Sequence, residues 1–360
     1  MTSPTEFPST CLAAVFHDAA QPLQLQHLAV PLPRSGEAVI RVDLCTVCGS
    51  DLHTITGRRQ EATPTIPGHE VIGTVVRVGD PAPLSLDGSA LQPGDRVSWS
   101  VCVCCQNCER CRSGLTQKCL SVTKYGHELA EGHHSLSGGL AEYLLLRANS
   151  AVLRVDPLLP DEVACPANCA TATVAAAIRI AGVIEGRRVA IIGAGMLGLT
   201  AAAMAIHHKA ASVQILDRDP KRLQQAARFC PQVQATDSEQ GPADADVILE
   251  CSGAHAAIEQ ALAALAVGGT LVLVGSVMPT PPVALHPEQI VRRCLTIRGI
   301  HNYTADDLLA AHRFLTAEHG RFDFGQLVQR IFSLQDINEA IRWALAEQPL
   351  RIGIRPGRTR

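Results

Sequence analysis

Four cysteines fall within one short stretch of the chain, separated by two, two and seven residues: Cys105, Cys108, Cys111 and Cys119. Zn²⁺ prefers four tetrahedral ligands, and a closed shell of four thiolates holds the metal without leaving a position for substrate. The spacing therefore predicts a structural zinc lobe over residues 102–119, where the metal fixes a loop with little core of its own. Cys102 and Cys104 lie just upstream and either could replace Cys105, but we interpret both as inert. Free thiols in a cysteine-rich loop are the alternative.

Thiol and imidazole side chains also occur in three separated pieces that together indicate a second metal site. The pieces are Cys48-Gly-Ser-Asp-Leu-His53, Gly68-His69-Glu70 and Cys165-Pro-Ala-Asn-Cys169. A single cysteine is usually a small core residue, and a single histidine is more often part of a hydrogen-bonded structure than a metal ligand. The pieces gain significance because they occur together, in this order, in a chain that also carries a dinucleotide-binding motif.

That motif lies between Arg188 and Asp217, in the pattern of a strand, a glycine-rich turn, a helix and a second strand. The turn reads Gly193-Ala-Gly195-Met196-Leu197-Gly198. The first glycine permits the tight bend, the second lets a pyrophosphate approach the backbone, and the third lets the helix pack closely on the strand. Asp217 follows Gly198 by 19 residues, where a carboxylate can accept hydrogen bonds from the adenosine ribose. A close-packed βαβ turn of another doubly wound protein is the alternative.

Length and composition set the class of protein. At 360 residues the chain can form two domains with separate cores. Its 47% hydrophobic and 18% charged residues are typical of a globular rather than a disordered protein. The net charge of −3 offers no electrostatic argument for binding nucleic acid or an anionic membrane. The 14 cysteines, with no signal-peptide pattern at the N-terminus, favour a cytoplasmic location where thiols stay reduced.

The elements that must position these residues change in character along the chain. Residues 12–148 contain short β-like runs separated by glycine and proline turns, which is typical of a small β-barrel-like domain. From about residue 171, alanine-rich stretches alternate with Val, Ile and Leu runs, as in a parallel sheet with crossover helices. The uncharged runs 189–206 and 261–285 contain glycines where a strand should turn, so we interpret them as buried strands joined to helices and not as membrane spans.

Taken together, the CGSDLH and GHE pieces, the cysteine lobe, GAGMLG and the following aspartate resemble the medium-chain, zinc-dependent alcohol dehydrogenases. The resemblance implies an α/β fold with a GroES-like, β-rich catalytic domain over residues 1–170, which includes the zinc lobe. It implies a Rossmann domain, a doubly wound parallel sheet, over residues 171–300. Residues 301–360 would return to the catalytic domain. The family also suggests a homodimer or homotetramer joined through the cofactor domains.

The resemblance further implies a catalytic zinc, so that the chain would hold two zinc ions. By position its ligands are Cys48, His69 and Cys169, with Glu70 behind the metal and able to become a ligand. Cys169 is the ligand with alternatives, because polyol-type relatives carry Glu near this position and Cys165 lies four residues earlier.

The same resemblance implies how a proton leaves the site. Ser50 would take the proton of the alcohol, and His53 would pass it through ribose hydroxyls to water. Asp51 would hold the free nitrogen of His69. An ordinary polar turn after a strand is the alternative for Ser50, Asp51 and His53.

Cofactor contacts outside the glycine turn are also carried over by position: Thr173, Arg222, Val274, Gly275 and Arg351. Of these, Thr173, Val274 and Gly275 would lie near the nicotinamide. Arg222 would contact the adenosine side, and Arg351 would reach the pyrophosphate. Asp217 favours NAD, although Arg218 could in principle receive the 2′-phosphate of NADP.

The implied reaction is hydride transfer between an alcohol and NAD, which gives an aldehyde or a ketone. The partner is a small alcohol or carbonyl compound, and neither nucleic acid nor a membrane is expected. A zinc-poor, quinone reductase-like NADPH enzyme is one alternative, which the ligand set speaks against. The other is a non-catalytic, zinc-stabilised binding protein that senses NAD(H).

Basic residues near the two ligand-bearing pieces indicate an anionic substrate, which arginine can bind in bidentate fashion. They are Arg58, Arg59, Lys124, His127, His133 and His134. Charged residues on exposed loops usually just face water, which is the alternative. The stretches ACPANCATATVAAAIR and RRCLTIRGIHNYTADDL resemble a bacterial branch proposed to act in phosphonate catabolism, which suggests a hydroxyalkylphosphonate and places His301 near the nicotinamide.

Overall fold

The computed structural model describes residues 7–242 and 244–357, which form two compact units. The first unit runs to Cys169 and resumes over Thr304–Leu315 and from Phe324 onward. The second comprises Ala170–Tyr303 and Thr316–Asp323. Residues 301–303 and 316–323 thus belong to the second unit, whereas the rest of 304–357 returns to the first, as expected. Within 316–323 the ring of Phe322 lies 5.9 Å from that of Phe229, so this segment joins the core of the second unit.

The helices and strands have the following bounds. The first unit begins with β1 (Thr10–Val15), β2 (Gln24–Ala29), β3 (Ala38–Val47), α1 (Gly49–Ile55), β4 (Glu70–Val78), β5 (Arg96–Trp99), β6 (Cys102–Val103), α2 (Glu109–Arg112), β7 (Thr123–Lys124), β8 (Tyr143–Leu146), β9 (Val152–Arg154) and α3 (Asp161–Ala164). The second contains α4 (Ala170–Ala181), β10 (Arg188–Ile192), α5 (Met196–His207), β11 (Ser212–Asp217), α6 (Pro220–Phe229), β12 (Gln234–Asp237), β13 (Ala245–Glu250), α7 (His255–Ala264), β14 (Leu265–Leu273), α8 (Pro287–Arg293) and β15 (Thr296–Gly299). The last part of the chain forms α9 (Ala305–Glu318), β16 (Val328–Ser333), α10 (Ile337–Glu347) and β17 (Arg351–Arg355).

Strand β3 is the centre of the first unit. It lies in a mixed sheet of order β16-β17-β3-β4-β5-β9, and β8 also pairs with it. The valines and the isoleucine of β3 are buried, because side chains on both faces of the strand pack into one apolar core. The register places Thr46 of β3 opposite Glu70 of β4, and Val47 opposite Ile352 of β17. The end of β3, the start of β4 and the start of β17 therefore meet at one edge of the sheet.

The second unit is a parallel sheet with helices between its strands. Its order is β12-β11-β10-β13-β14-β15, so the first strand of the unit, β10, is central and the later strands are added on either side. This is the 3-2-1-4-5-6 order of the doubly wound Rossmann fold, and the predicted fold class is confirmed. The run 189–206 forms β10, a turn and α5, and the run 261–285 contains the end of α7 and β14.

No single helix in the described part of the chain is long and apolar enough to cross a membrane. The bent pair of helical segments Asp161–Asn168 and Ala170–Ala181 would be long and apolar enough only if the two are counted together, by length and composition alone.

Candidate active site

Asp51 holds together the two turns that carry Cys48 and His69. Its carboxylate accepts the backbone N–H of Cys48 at 2.8 Å and that of Gly68 at 3.2 Å. Its Oδ1 also lies 3.1 Å from Nδ1 of His69. Because an ionised carboxylate can only accept, Nδ1 of His69 carries the proton and Nε2 keeps its lone pair for a metal. Burial opposes ionisation of Asp51, but the adjacent His69 ring lowers the pKa of this carboxyl below its ordinary value.

Gly68 is required where β4 begins. Its φ of +94° is in a region that side chains rarely adopt, and a Cβ there would lie 2.7 Å from Sγ of Cys45. The turn can bring His69 beside the end of β3 only because residue 68 has no side chain.

Four potential metal ligands converge at this edge of the sheet: Cys48, His69, Glu70 and Cys169, with all four ligand atoms within 4.8 Å of one another. Two thiolates and one imidazole form a ligand set found in catalytic zinc sites, in which a fourth position stays open. The donor set present therefore fits zinc. The structure thus brings together the ligands that the resemblance implies.

Cys165, the competitor of Cys169, lies elsewhere. Its thiol is fully buried and donates to the carbonyl oxygens of Leu44 at 3.3 Å and Glu70 at 3.2 Å. Burial raises the pKa of Cys165. A neutral thiol that is already hydrogen-bonded to backbone oxygens is a packing residue, so the geometry favours Cys169.

Asn168, which the sequence analysis did not single out, fixes the segment before Cys169. Its side-chain amide donates to the carbonyl oxygens of His69 at 3.1 Å and Trp99 at 2.9 Å. Its Oδ1 accepts the N–H of Val71 at 3.3 Å. The residue is fully buried and links three chain segments. The single sequence signal was its position next to an expected ligand.

Arg351, which is expected at a pyrophosphate, contacts two residues of the ligand cluster. Its guanidinium forms a bidentate pair with Glu70, with both shortest N–O distances at 2.8 Å, and its Nη2 lies 3.4 Å from Sγ of Cys48. Nη1 donates to the carbonyl oxygen of Leu350 at 2.8 Å. These contacts leave one of the five N–H donors of the arginine, and the expected contact with a pyrophosphate stays a prediction.

Compensating charges surround these buried ligands. The hydrogen bond with the Cys169 thiol and, against the effect of burial, the charge of Arg351 lower the pKa of Cys48 well below its usual range. Burial alone disfavours the charge of Arg351, but the Cys48 thiolate and Glu70 raise its pKa. Thr46, also missed from the sequence, donates its hydroxyl to Glu70 at 2.6 Å. These interactions favour the ionised form of Cys48, whereas the hydrogen bond to Cys48 and burial raise the pKa of Cys169 well above its ordinary value.

Ser50 and His53 lie on α1, directly after Cys48. They are three residues apart, so both side chains project from the same face of the helix. Both are half-buried. This placement is compatible with a proton relay beside the ligand cluster.

The four lobe cysteines also converge, with their sulfur atoms within 4.8 Å of one another. The Sγ of Cys119 lies 3.4 Å from that of Cys105 and 3.9 Å from that of Cys108. A tetrahedron with Zn–S bonds of ~2.3 Å has S–S edges of about 3.8 Å, so the set fits zinc. Cys104, for which burial raises the pKa, is not part of the converging set.

Most of the predicted basic rim is paired with carboxylates. Glu61 lies 2.6 Å from Arg59 and 3.1 Å from His127, whose ring centroid is 5.3 Å from that of His69. His133 and His134 both contact Glu37. Arg58 is exposed. Fewer basic side chains are thus available to bind an anionic substrate than the sequence predicted.

The glycine turn of the second unit has the shape of a phosphate cradle. Gly193 has a φ of +104°, and a Cβ on Gly198 would lie 1.7 Å from the carbonyl oxygen of Gly193. Both positions therefore require glycine for backbone reasons. A Cβ on Gly195 would meet only Nη1 of Arg222, at 3.8 Å. The open space at Gly195, at the start of α5, fits a pyrophosphate.

Asp217 lies beside this turn. Its Oδ2 accepts the N–H of Ala194 at 2.7 Å, and its Oδ1 accepts the N–H of Asp219 at 2.9 Å. Each oxygen keeps a lone pair that can accept a ribose hydroxyl. Arg218 is exposed, and Arg222 lies 3.9 Å from Asp219.

The strand end expected near the nicotinamide is held by Glu250. The N–H groups of Val274 and Gly275 donate to its carbonyl oxygen at 2.9 and 2.8 Å. Its buried Oε1 accepts the N–H groups of Ser252 and Gly253, both at 2.7 Å. Glu250 was missed from the sequence, where it reads as the last residue of a strand. Thr173 is half-buried on α4, and His301 is exposed after β15.

Two family models match the chain. Residues 34–157 match the "Alcohol dehydrogenase GroES-like domain", and residues 197–317 match "Zinc-binding dehydrogenase". The first match covers most of the initial part of the first unit, and the predicted GroES-like character is confirmed.

Curated relatives and solved structures agree with these matches. A probable alcohol dehydrogenase of Mycobacterium tuberculosis is 32% identical, over 88% of this chain and 90% of the relative. An L-threonine 3-dehydrogenase of Anaeromyxobacter dehalogenans is 30% identical over the same shares. An alcohol dehydrogenase structure from Thermus sp. ATN1 has a TM-score of 0.84 at 26% identity, with 95% of this chain and 99% of that chain covered. The chain belongs to the medium-chain, zinc-dependent alcohol dehydrogenase family.

Proposed function

We propose that this protein is an NAD-dependent zinc alcohol dehydrogenase that interconverts an alcohol and an aldehyde or ketone. The observation that carries the proposal is the convergence of Cys48, His69 and Cys169 beside Glu70. A quinone reductase-like enzyme has no need of this ligand set. The proposal includes two zinc ions per chain, one in the lobe and one at the catalytic ligands.

A zinc ion at these ligands would supply Lewis-acid polarisation of the alcohol oxygen. The chain's own residues prepare the site for it. Asp51 fixes the tautomer of His69, and Arg351 balances the charge of Glu70 and the Cys48 thiolate.

Ser50 and His53 are proposed to move the alcohol proton. Ser50 accepts it at Oγ, and His53, one turn further along α1, passes it towards solvent. A nicotinamide bound to the second unit would supply the hydride acceptor. The glycine turn orients that cofactor through its backbone N–H groups.

We propose NAD as the cofactor because Asp217 would repel a 2′-phosphate. The exposed Arg218 next to it is the feature that favours NADP. Comparing kcat/KM for the two cofactors, in the native protein and in Asp217→Ala, tests the assignment. We expect NAD to be preferred and the preference to shrink in the variant; a native preference for NADP would contradict it.

For the substrate we propose a small alcohol, with an anionic group such as a phosphonate as the finer candidate. The support for the anion is Arg58, since Arg59 and His127 share Glu61. A panel of neutral alcohols, hydroxyalkylphosphonates and hydroxy acids, assayed for NADH formation, tests this. If the anion matters, Arg58→Glu raises KM for the anionic compounds and leaves KM for neutral alcohols unchanged.

The decisive experiment separates catalysis from cofactor binding. Cys48→Ser and His69→Ala should each abolish turnover and remove one zinc per chain, while NADH binding, followed by fluorescence, is retained. The matched controls are Cys294→Ser and His27→Ala, both exposed and distant in sequence from the ligands. Unchanged turnover in the ligand variants would favour the non-catalytic binding protein.

A further inference from the structure

A third group of potential ligands lies outside the two zinc sites, in the first unit. It consists of Glu37, His133 and His134, whose ligand atoms lie within 4.8 Å of one another. Glu37 precedes β3 and is only 5% exposed, although it is a carboxylate. The two histidines are adjacent in a short helical turn over Gly132–His134.

Both imidazoles present the same atom to the same carboxylate. Nε2 of His133 lies 2.7 Å from Oε2 of Glu37, and Nε2 of His134 lies 2.9 Å from Oε1. The two rings meet edge to face, with centroids 4.9 Å apart. Adjacent residues normally direct their side chains apart, so this convergence on one buried group is a specific arrangement.

The spacing is close to that of a metal site. A tetrahedral ion with bonds of ~2.0–2.1 Å to nitrogen and oxygen separates its ligand atoms by about 3.3 Å. Replacing the two hydrogen-bonded protons by one cation therefore requires the ligand atoms to separate by roughly half an ångström. Glu37 Oε2 also accepts the N–H of Arg34 at 2.8 Å, which orients the carboxylate and leaves its other lone pairs for a cation.

We infer that Glu37, His133 and His134 form a third divalent transition-metal site, for which Zn²⁺ is the expected ion. Two imidazoles and one carboxylate suit borderline cations and not the oxygen-preferring Mg²⁺ or Ca²⁺. The side chain of His134 is 38% exposed, so the remaining coordination positions are open to water. The binding of one cation displaces the hydrogen-bonded protons to solvent.

The site would tie a loop to the core. Glu37 is held by backbone hydrogen bonds at the start of β3, from Gly79 N–H to its carbonyl oxygen and from its own N–H to Arg34. The loop that carries the histidines also carries His127, whose ring lies beside His69. A metal at Glu37 thus fixes the distal end of the segment that covers a catalytic ligand.

Metal stoichiometry of the full-length protein tests the inference. The protein is equilibrated with micromolar free Zn²⁺, desalted and analysed for zinc, beside the variant His133→Ala/His134→Ala and the control His27→Ala. We expect the native protein and the control to hold one more zinc ion per chain than the double variant, whatever the occupancy of the other two clusters. An equal zinc count in the native protein and the double variant overturns the inference and shows that Glu37, His133 and His134 are joined by hydrogen bonds alone.

A second measurement guards against a folding defect in the double variant. Glu37→Gln keeps the shape and hydrogen-bonding capacity of the side chain but removes its charge. Calorimetric titration of Zn²⁺ into the protein should show a weak third site whose affinity falls about tenfold or more in this variant. With Cu²⁺ as the probe, nitrogen hyperfine structure from two imidazoles should appear for the native protein and disappear for the double variant. The inference does not rest on the proposed function, because neither readout depends on turnover.

Discussion

The two zinc-type ligand clusters of the first unit are built in opposite ways. The lobe takes its four thiols from the stretch between Cys105 and Cys119, whereas the catalytic cluster gathers residues as distant as Cys48 and Cys169. Leu115 in the lobe is 49% exposed and Leu120 just after it is 59% exposed, and Val103 is the one residue of 102–119 that belongs to the main apolar cluster. We therefore expect the lobe to depend on a bound metal and the catalytic cluster to depend on the sheet that assembles it.

The difference also concerns charge. Around the catalytic cluster, Arg351 forms an ion pair with Glu70, and the Asp51 carboxylate accepts a hydrogen bond from His69, both inside the core. In the lobe, backbone N–H groups hydrogen-bond to the sulfur atoms instead. The N–H of Cys105 donates to Sγ of Cys119 at 3.3 Å, and the N–H of Cys111 donates to Sγ of Cys108 at 3.5 Å. A surface cluster is stabilised by solvent and the metal, while a buried one needs partner charges at fixed positions.

The largest effect is expected from breaking the lobe. Cys111→Ser removes a ligand from a closed shell, and structural zinc contributes ~10–16 kcal/mol of apparent binding free energy in isolated zinc fingers. We expect loss of one zinc per chain, a lower Tm and proteolytic cleavage within the lobe. The control is Cys104→Ser, next to the same loop. A Cys111→Ser protein with full zinc content and native Tm would show that the lobe does not need its metal.

The matching change in the catalytic cluster should behave differently. Cys169→Ser is expected to lower kcat/KM by about 10³-fold or more, equivalent to ~4 kcal/mol of transition-state stabilisation. Its Tm should stay near the native value, since the sheet assembles this site. Cys165→Ser, four residues earlier, is the matched control and should retain turnover. Equal losses in the two variants would argue against the assignment of Cys169.

Arg351→Met tests the role of partner charges. It leaves the Glu70 carboxylate buried without its guanidinium, and breaking a buried pair in this way costs ~3–5 kcal/mol. Chemical denaturation should show this loss, and Glu70→Gln in the same chain should reverse most of it. If the single and double variants are equally stable, Glu70 is not charged in the native protein.

The loss of stability in Arg351→Met should also depend on pH. Burial raises the pKa of Glu70 above its ordinary value of 4.5, and removing Arg351 takes away a charge that opposes this shift. A carboxyl whose pKa is higher in the folded than in the unfolded state binds more protons when folded, so its destabilising effect grows as the pH rises. The stability deficit of Arg351→Met should therefore be smallest below pH 4.5 and increase above it. A deficit that is constant with pH would contradict this account.

The two clusters also differ in what a sequence can predict. The lobe and the glycine turn are local, so the spacing of Cys105 to Cys119 and of Gly193 to Gly198 sufficed to anticipate their geometry. The catalytic ligands came through a family resemblance, because no spacing rule connects Cys48 with Cys169. The partners that hold them, Asn168 and Thr46, were missed since nothing local distinguishes a buried amide or hydroxyl from an exposed one.

Arg351 shows why a carried-over role needs the structure. The resemblance supplied the position of this residue, but its contact with Glu70 depends on the register of β17 against β3, which pairs Ile352 with Val47 and so brings Arg351 to the end of β3. The number of basic residues available to a substrate was overestimated for a similar reason. The acids that pair with it, Glu37 and Glu61, lie far along the chain from most of the residues they contact.

The smallest of these effects is expected at Asp51, and it separates the two clusters most sharply. Asp51→Asn keeps the size of the side chain but leaves a single acceptor oxygen where the N–H groups of Cys48, Gly68 and His69 converge. Loss of such a carboxylate partner of a metal-bound histidine typically lowers metal affinity 10–100-fold. Competition with a chelator should show that decrease for one zinc per chain, while the lobe zinc dissociates as in the native protein. Asp43→Asn is the control, because Asp43 pairs with Thr74 and Arg41 near the surface. If both zinc ions weaken together in Asp51→Asn, the clusters are coupled through the fold, and the lobe is less independent than its local ligand set implies.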